Sequence, residues 1–220
     1  MSKVALTNSS IAEIPEDRLI GYILDDALWG TELFQFAGMP SGMETRQCVP
    51  LDTAPGKPRG DVDILFCAPT IPEQAVAYQV KRIKFGINHV RNQVPGKLGE
   101  FEKLVRQANI LARLGFWQVY AAVIVVVDTR EQNAGKLTYQ GLSSKLRSLI
   151  SSAISTEFLD ERVGLAVLEF TQPMDYEPLT IGTHGLNVRR FAKSITQSEE
   201  LTKWVADVFS THGRPARIPG

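Results

Sequence analysis

The sequence predicts an α/β fold, a mixed β-sheet flanked by helices. Three observations carry that expectation. Two runs, 117–127 and 163–171, are nearly all apolar and rich in Val, Ile and Leu, as strands buried on both faces are. Segments ahead of, between and after them space their apolar residues at three and four, as helices with one buried stripe do. Upstream, two shorter apolar runs flank a brief proline-containing turn, which predicts an antiparallel hairpin. With 220 residues, 44% of them hydrophobic and 22% charged, the chain can bury such a sheet without staples. One domain is expected over 1–220.

The elements follow in order. Residues 1–14 read as a loose arm. Pro15-Glu16-Asp17 looks like a helix start, with proline early and acids in the first turn. The helix is expected over about 16–37, on the spacing of Ile20, Ile23, Leu24, Ala27, Leu28 and Phe34, and Gly38-Met39-Pro40 ends it. A short strand is placed at 43–52 and a turn at 53–60. A strand from Val62 to Ala68 and one over 74–84 form the hairpin. Residues 85–95 read as a loop. A helix over 97–114 buries Leu98, Phe101, Val105, Ala108 and Ala112, with Gly115 as its cap. After the strand at 117–127, a helix is expected at 141–155 and a strand at 163–171. Beyond Pro173 the chain reads as irregular until a last helix near 197–210.

Composition excludes several classes. The two cysteines, Cys48 and Cys67, form no CxxC, so neither a disulfide framework nor a zinc knuckle is expected. The N-terminus lacks the apolar core of a signal peptide, and the most apolar run, Val119 to Val127, is too short to span a bilayer. A cytoplasmic protein without a membrane partner is therefore expected. The sequence contains no GxGxxG, GxxxxGK[ST] or GxSxG, and His89, His184 and His212 lack metal-ligand spacing. Net charge is zero but uneven. Residues 1–80 carry 5 basic and 11 acidic side chains, whereas residues 81–113 carry 8 and 2, which points to an anionic partner at one place.

Candidate chemistry lies in the hairpin GDVDILFCAP…AVAYQVKR. Side chains alternate along a strand, so Gln79 and Lys81 share a face, as do Asp61 and Asp63. Pairing of the strands would bring an acid, an amide oxygen and an ammonium to one spot. Carboxylate and carbonyl oxygens are hard ligands suited to Mg²⁺, and a neighbouring lysine can position a metal-bound water. A polar strand face with solvated charges is the plainer alternative.

These residues resemble the PD-(D/E)xK nuclease superfamily, whose restriction-endonuclease-like core runs helix, strand, strand, strand, helix, strand. Its signature is an acid on the second strand and an (E/D/Q)-x-K triplet on the third. Asp63-ILFCAP and Tyr78-Gln79-Val80-Lys81 match it, with Gln79 in the slot more often held by an acid. Many members add a glutamate from the first helix, and Glu32 in TELFQ occupies that place. The resemblance covers a core of about 16–128, leaving about 129–212 as a C-terminal α/β extension. It implies hydrolysis of nucleic-acid phosphodiesters, of DNA in preference to RNA, by an endo- or exodeoxyribonuclease that uses Mg²⁺ or Mn²⁺. Asp63, Gln79, the Val80 carbonyl and Glu32 would hold the ion, and Lys81 would orient the attacking water. In the 97–114 helix, Lys103, Arg106 and Arg113 share a face suited to phosphates, and Gln107 sits where some members place a site glutamine. Glu44 is the alternative to Glu32. Because Gln79 brings no charge, a weakly active or inactive module that binds nucleic acid or a protein partner stays open, as does a homodimer. An α/β enzyme for a small molecule has no motif behind it.

Overall fold

The structure is a computed structural model, and it describes residues 13–25, 42–92, 100–129, 142–154, 156–172 and 183–211. The central strand β4, Gln118–Asp128, is the apolar run that the sequence singles out, and all 11 of its residues are buried. Around it lies an open, mixed six-stranded sheet whose spatial order is the chain order. β1 (Glu44–Pro50), β2 (Asp61–Cys67) and β3 (Val76–Phe85) pair antiparallel in succession. β3, β4 and β5 (Gly164–Gln172) run parallel, and β6 (Thr183–Arg190) returns antiparallel beside β5.

Five α-helices are described: α1 (Glu16–Asp25), α2 (Ile87–Asn92), α3 (Glu100–Leu114), α4 (Ser144–Ala153) and α5 (Glu199–Thr211). Parallel neighbours need crossover connections, and α2 with α3 supplies the one from β3 to β4. α2 to α5 bury Val90, Leu104, Leu146 and Val205 on one sheet face, against Ala77, Ile83, Val123 and Val125. α1 buries Leu19, Ile20 and Ile23 on the other, against Tyr78, Val80, Ala122 and Ile124. On that second face Tyr78 and Tyr120 stack with ring centres 5.0 Å apart. A Cβ on Gly164 would overlap the Tyr120 ring, so the start of β5 requires glycine. Gly115, at φ 89°, ends α3 where an L side chain would be strained.

Two expectations are corrected. Residues 85–95, read as a loop, contain α2. Its first turn closes when His89 and Val90 N–H groups donate to the Gly86 carbonyl at 2.9 and 3.1 Å, and burial of Val90 anchors it. The stretch after Pro173, read as irregular, contains β6. Its pairing to β5, interrupted by a register irregularity between Leu165 and Ala166, outweighs its weak sequence pattern. The helix over about 16–37 is described only as far as Asp25, and the rest of it, Glu32 included, lies outside the described residues. Among the described residues no helix is long and apolar enough to cross a membrane.

Candidate active site where two strands part

β2 and β3 stay paired for only three residue pairs, ending at Ile64↔Tyr78. On its other side, β2 pairs with β1 at Gln47↔Ile64 and at Val49↔Val62, but the intervening Cys48↔Asp63 pair is missing. Cys48 has φ 50°, a conformation that costs an L residue about 1 kcal/mol or more. Asp63 thus stands where β2 is released on both edges. Its carboxylate turns to β3, where one oxygen, Oδ2, accepts the Val80 N–H at 2.6 Å and the Gln79 Nε2 hydrogen at 2.5 Å. The other oxygen, Oδ1, is left for a different partner.

β3 continues past Tyr78 paired to β4 alone, so one of its edges is open as far as Phe85. Alternate residues direct their N–H groups to that edge. Val80 is the first, and Asp63 takes it. Arg82 is the second, and Glu16 Oε2 accepts it at 2.6 Å. Glu16 Oε1 holds the Lys81 ammonium at 3.0 Å. Both charges are half-buried, Lys81 with 18% and Glu16 with 30% of the side chain exposed. Glu16 reaches β3 because it opens α1, whose apolar stripe docks on this end of the sheet. Its place in sequence marks only a helix start. The docking direction that aims it at Lys81 is tertiary information, which is why sequence reasoning missed it.

Burial pushes the Asp63 carboxyl up, against the pull of the Val80 N–H and Lys81 and with a further push from Asp61 and Glu16, so that it titrates at about 6. For Lys81, burial lowers the pKa, but the hydrogen bond and charge of Glu16, with Asp63 and Asp61, outweigh it and leave the ammonium more firmly protonated. The Cys48 thiol is raised by burial and then by Asp61, Asp63, Asp17 and Glu16, so the surroundings are strongly acidic. Gln79 is 1% exposed, and its Oε1 is buried without a hydrogen-bond partner. A buried polar atom without a partner is rare in folded proteins. Beside these groups a cavity of about 350 Å³ is lined by Glu16, Lys81, Arg82, Lys84, His89 and Glu100.

The structure thus brings Asp63, Gln79, Val80 and Lys81 together and adds Glu16, but Gln79 meets Asp63 through Nε2 rather than through the amide oxygen expected there, because the carboxylate can only accept. Glu32 lies outside the described residues. Glu44 is no substitute for it: it opens β1 opposite Cys67 and pairs with Arg46 at 3.1 Å. Lys103, Arg106 and Arg113 are exposed on α3 and Gln107 is half-buried. Lys103 pairs with Glu100 at 3.0 Å, Arg113 bonds the Asn109 carbonyl at 3.2 Å, and none of the four lines the cavity. Tyr120 is core, as its apolar setting predicts, and Trp117 is partly buried against the same cluster.

Among the described residues no three His, Cys, Asp or Glu side chains are grouped to hold a metal ion. The donor set is sparser and made of hard oxygens, Asp63 Oδ1 and the partnerless Gln79 Oε1, since both Glu16 oxygens are engaged by Lys81 and the Arg82 N–H. An extended residue directs its N–H and C=O to the same edge, so the Val80 carbonyl joins the edge that faces Asp63. Such a set fits Mg²⁺, which keeps several waters and takes few protein ligands. Comparison with protein-family models and with curated proteins finds no match to this chain.

Proposed function

We propose that the protein is a metal-dependent nuclease, acting on nucleic-acid phosphodiester bonds and on DNA in preference to RNA. The observation that carries the reading is the meeting of Asp63 with Gln79 and Val80 where β2 and β3 part, one residue before Lys81. The order α1, β1, β2, β3, α3, β4 in an open mixed sheet agrees with a restriction-endonuclease-like core. Glu16 is the acid that the described part of the first helix brings to Lys81.

Asp63, Gln79 Oε1 and the Val80 carbonyl would hold Mg²⁺ or Mn²⁺, with Glu16 near them. When bound, such an ion polarises a phosphoryl oxygen and lowers the pKa of its water. The chain's own groups do the rest. The Val80 N–H and Gln79 Nε2 fix Asp63 through Oδ2, so its second oxygen is preoriented. Glu16 holds the Lys81 ammonium charged and in place. Lys81 then donates hydrogen bonds to the attacking water and to the phosphate oxygens as charge grows on them, a stabilisation worth most in a site shielded from solvent. The neutral Gln79, which brings no charge to an ion, favours a second reading, a silent module that binds nucleic acid without cutting it.

Incubation of the purified protein with linear duplex DNA, single-stranded DNA and RNA separates the two. The nuclease reading expects cleavage in Mg²⁺ and none in EDTA. Binding without cleavage in either Mg²⁺ or Mn²⁺ establishes the module instead.

A further inference from the structure

We infer that the cavity beside Lys81 is a subsite for a backbone phosphate of a nucleic-acid strand, built by Arg82, Lys84 and His89. The identity of the strand rests on the proposed function, whereas the anion site rests on the following geometry. Along the open edge of β3 the outward N–H groups of Val80 and Arg82 are already taken by two carboxylates, Asp63 and Glu16. The two-residue period puts the Lys84 N–H third on that edge, beyond the reach of either acid. The edge is a row of N–H groups whose first two hold carboxylates and whose third has no acid beside it among the described residues.

Two side chains that line the cavity each carry an unsatisfied polar atom. Arg82 Nη1 and His89 Nδ1 are both buried without a partner, and both residues line the cavity. Leaving such a group unpaired costs about 1–3 kcal/mol, and a side-chain rotation that turns either atom into the cavity would bring it to an acceptor oxygen held there. A guanidinium can only donate, and imidazole donates from Nδ1 in the tautomer that carries its proton there. Charge agrees. Of the acids in the cavity, Glu16 is engaged by Lys81 and Glu100 by Lys103, at 3.0 Å each. Arg82 and Lys84 have no ion-pair partner among the described residues. A cavity of about 350 Å³ lies at the small end of ligand sites, with room for a phosphate and an adjoining sugar. α2 sets the ring: the His89 N–H is tied to the Gly86 carbonyl at 2.9 Å, and the imidazole meets Phe85 edge-on with centres 6.5 Å apart. This subsite lies on β3 and α2, apart from Lys103, Arg106, Gln107 and Arg113 of α3, which do not line the cavity.

The test is binding in EDTA, where hydrolysis does not interfere, with cleavage in Mg²⁺ measured in parallel. A short single-stranded oligonucleotide and inorganic phosphate are titrated into the full chain and into Arg82→Gln, Lys84→Gln and His89→Asn. His89 ring nitrogens are followed by NMR. The oligonucleotide is expected to shift the His89 Nδ1 resonance, and Arg82→Gln to weaken its binding about tenfold and lower the salt slope by about 1. Lys84→Gln, at an exposed side chain, gives a similar loss of slope without risk to the fold, and Arg82→Lys recovers part of the affinity. Unchanged affinity and slope in Arg82→Gln and Lys84→Gln, beside a wild type that cuts DNA, overturn the subsite and leave the nuclease reading standing. Binding that depends on Arg82 and His89 in a protein that never cuts keeps the subsite and overturns hydrolysis. Inorganic phosphate binding as tightly as the oligonucleotide overturns a strand subsite, and so does an unmoved His89.

Discussion

Replacing Asp63 by Asn should stabilise the metal-free protein at neutral pH while destroying its activity. The carboxyl is raised from an ordinary 3.8 to about 6, chiefly by burial. The folded state therefore binds this proton more tightly than the unfolded chain does. The resulting stabilisation is full below about pH 4 and is lost as pH rises through about 6. Each pH unit between the two values is worth about 1.4 kcal/mol, so ionised Asp63 costs the fold up to about 3 kcal/mol by pH 8. Asparagine stays neutral and keeps an acceptor for the Val80 and Gln79 hydrogens. The variant and wild type should match near pH 4, and the gap should open to about 2–3 kcal/mol by pH 8. At about 2–4 °C per kcal/mol for chains of this size, Tm rises by about 6 °C. Denaturant unfolding in EDTA across pH 4 to 8 reads it directly. A variant less stable than wild type at pH 8, or a gap that does not change with pH, refutes the buried, uncompensated carboxylate on which the site depends.

Four further outcomes follow from the same geometry. Divalent metal competes with the Asp63 proton, so Mn²⁺ affinity by calorimetry should fall about tenfold per pH unit below about 6; a flat profile from pH 5 to 7 contradicts it. Glu16→Gln removes the charge that holds Lys81 and should lower cleavage at least tenfold, more than Glu32→Gln does; the reverse order restores the helix acid read from sequence. Gln79→Glu sets a second carboxylate against Asp63, so unfolding assays should show a loss of about 1 kcal/mol or more in EDTA, together with a larger gain on adding Mg²⁺ than wild type shows. Equal Mg²⁺ responses would mean that residue 79 does not face the ion. Asp63→Asn should weaken Mn²⁺ binding more than Asp61→Asn does, because only Asp63 is fixed against β3; equal losses contradict it.

Elements with strong periodicity were legible from sequence. The runs at 117–127 and 163–171 are β4 and β5 because uninterrupted Val and Ile leave few other structures. Asp63, Gln79 and Lys81 were legible because two-residue alternation and one antiparallel pairing suffice to bring them together. What was not legible depends on docking or on short contacts. α2 is six residues held by the Gly86 carbonyl and one buried valine, too little pattern to separate from a loop. β6 alternates weakly, and its partner strand determines it. Glu16 looks like any first-turn acid until α1 is laid on the sheet. The strain at Cys48 and the missing Cys48↔Asp63 pair have no sequence mark, since a cysteine does not announce a positive φ. The basic residues of α3 were visible as a stripe, but the cavity opens beside β3 instead, where Arg82 and Lys84 hid among strand residues.

The most direct test of the site is single-turnover cleavage of a labelled DNA duplex in Mg²⁺ by wild type and by Lys81→Met, which keeps the stem that packs in the half-buried site and removes only the ammonium. The account predicts that the wild type cuts, that the variant binds the duplex and unfolds within about 1 kcal/mol of wild type, and that its cleavage rate falls at least a hundredfold, the scale of losing one transition-state donor. Equal rates in the two proteins, or no cleavage by wild type in either Mg²⁺ or Mn²⁺, contradict it.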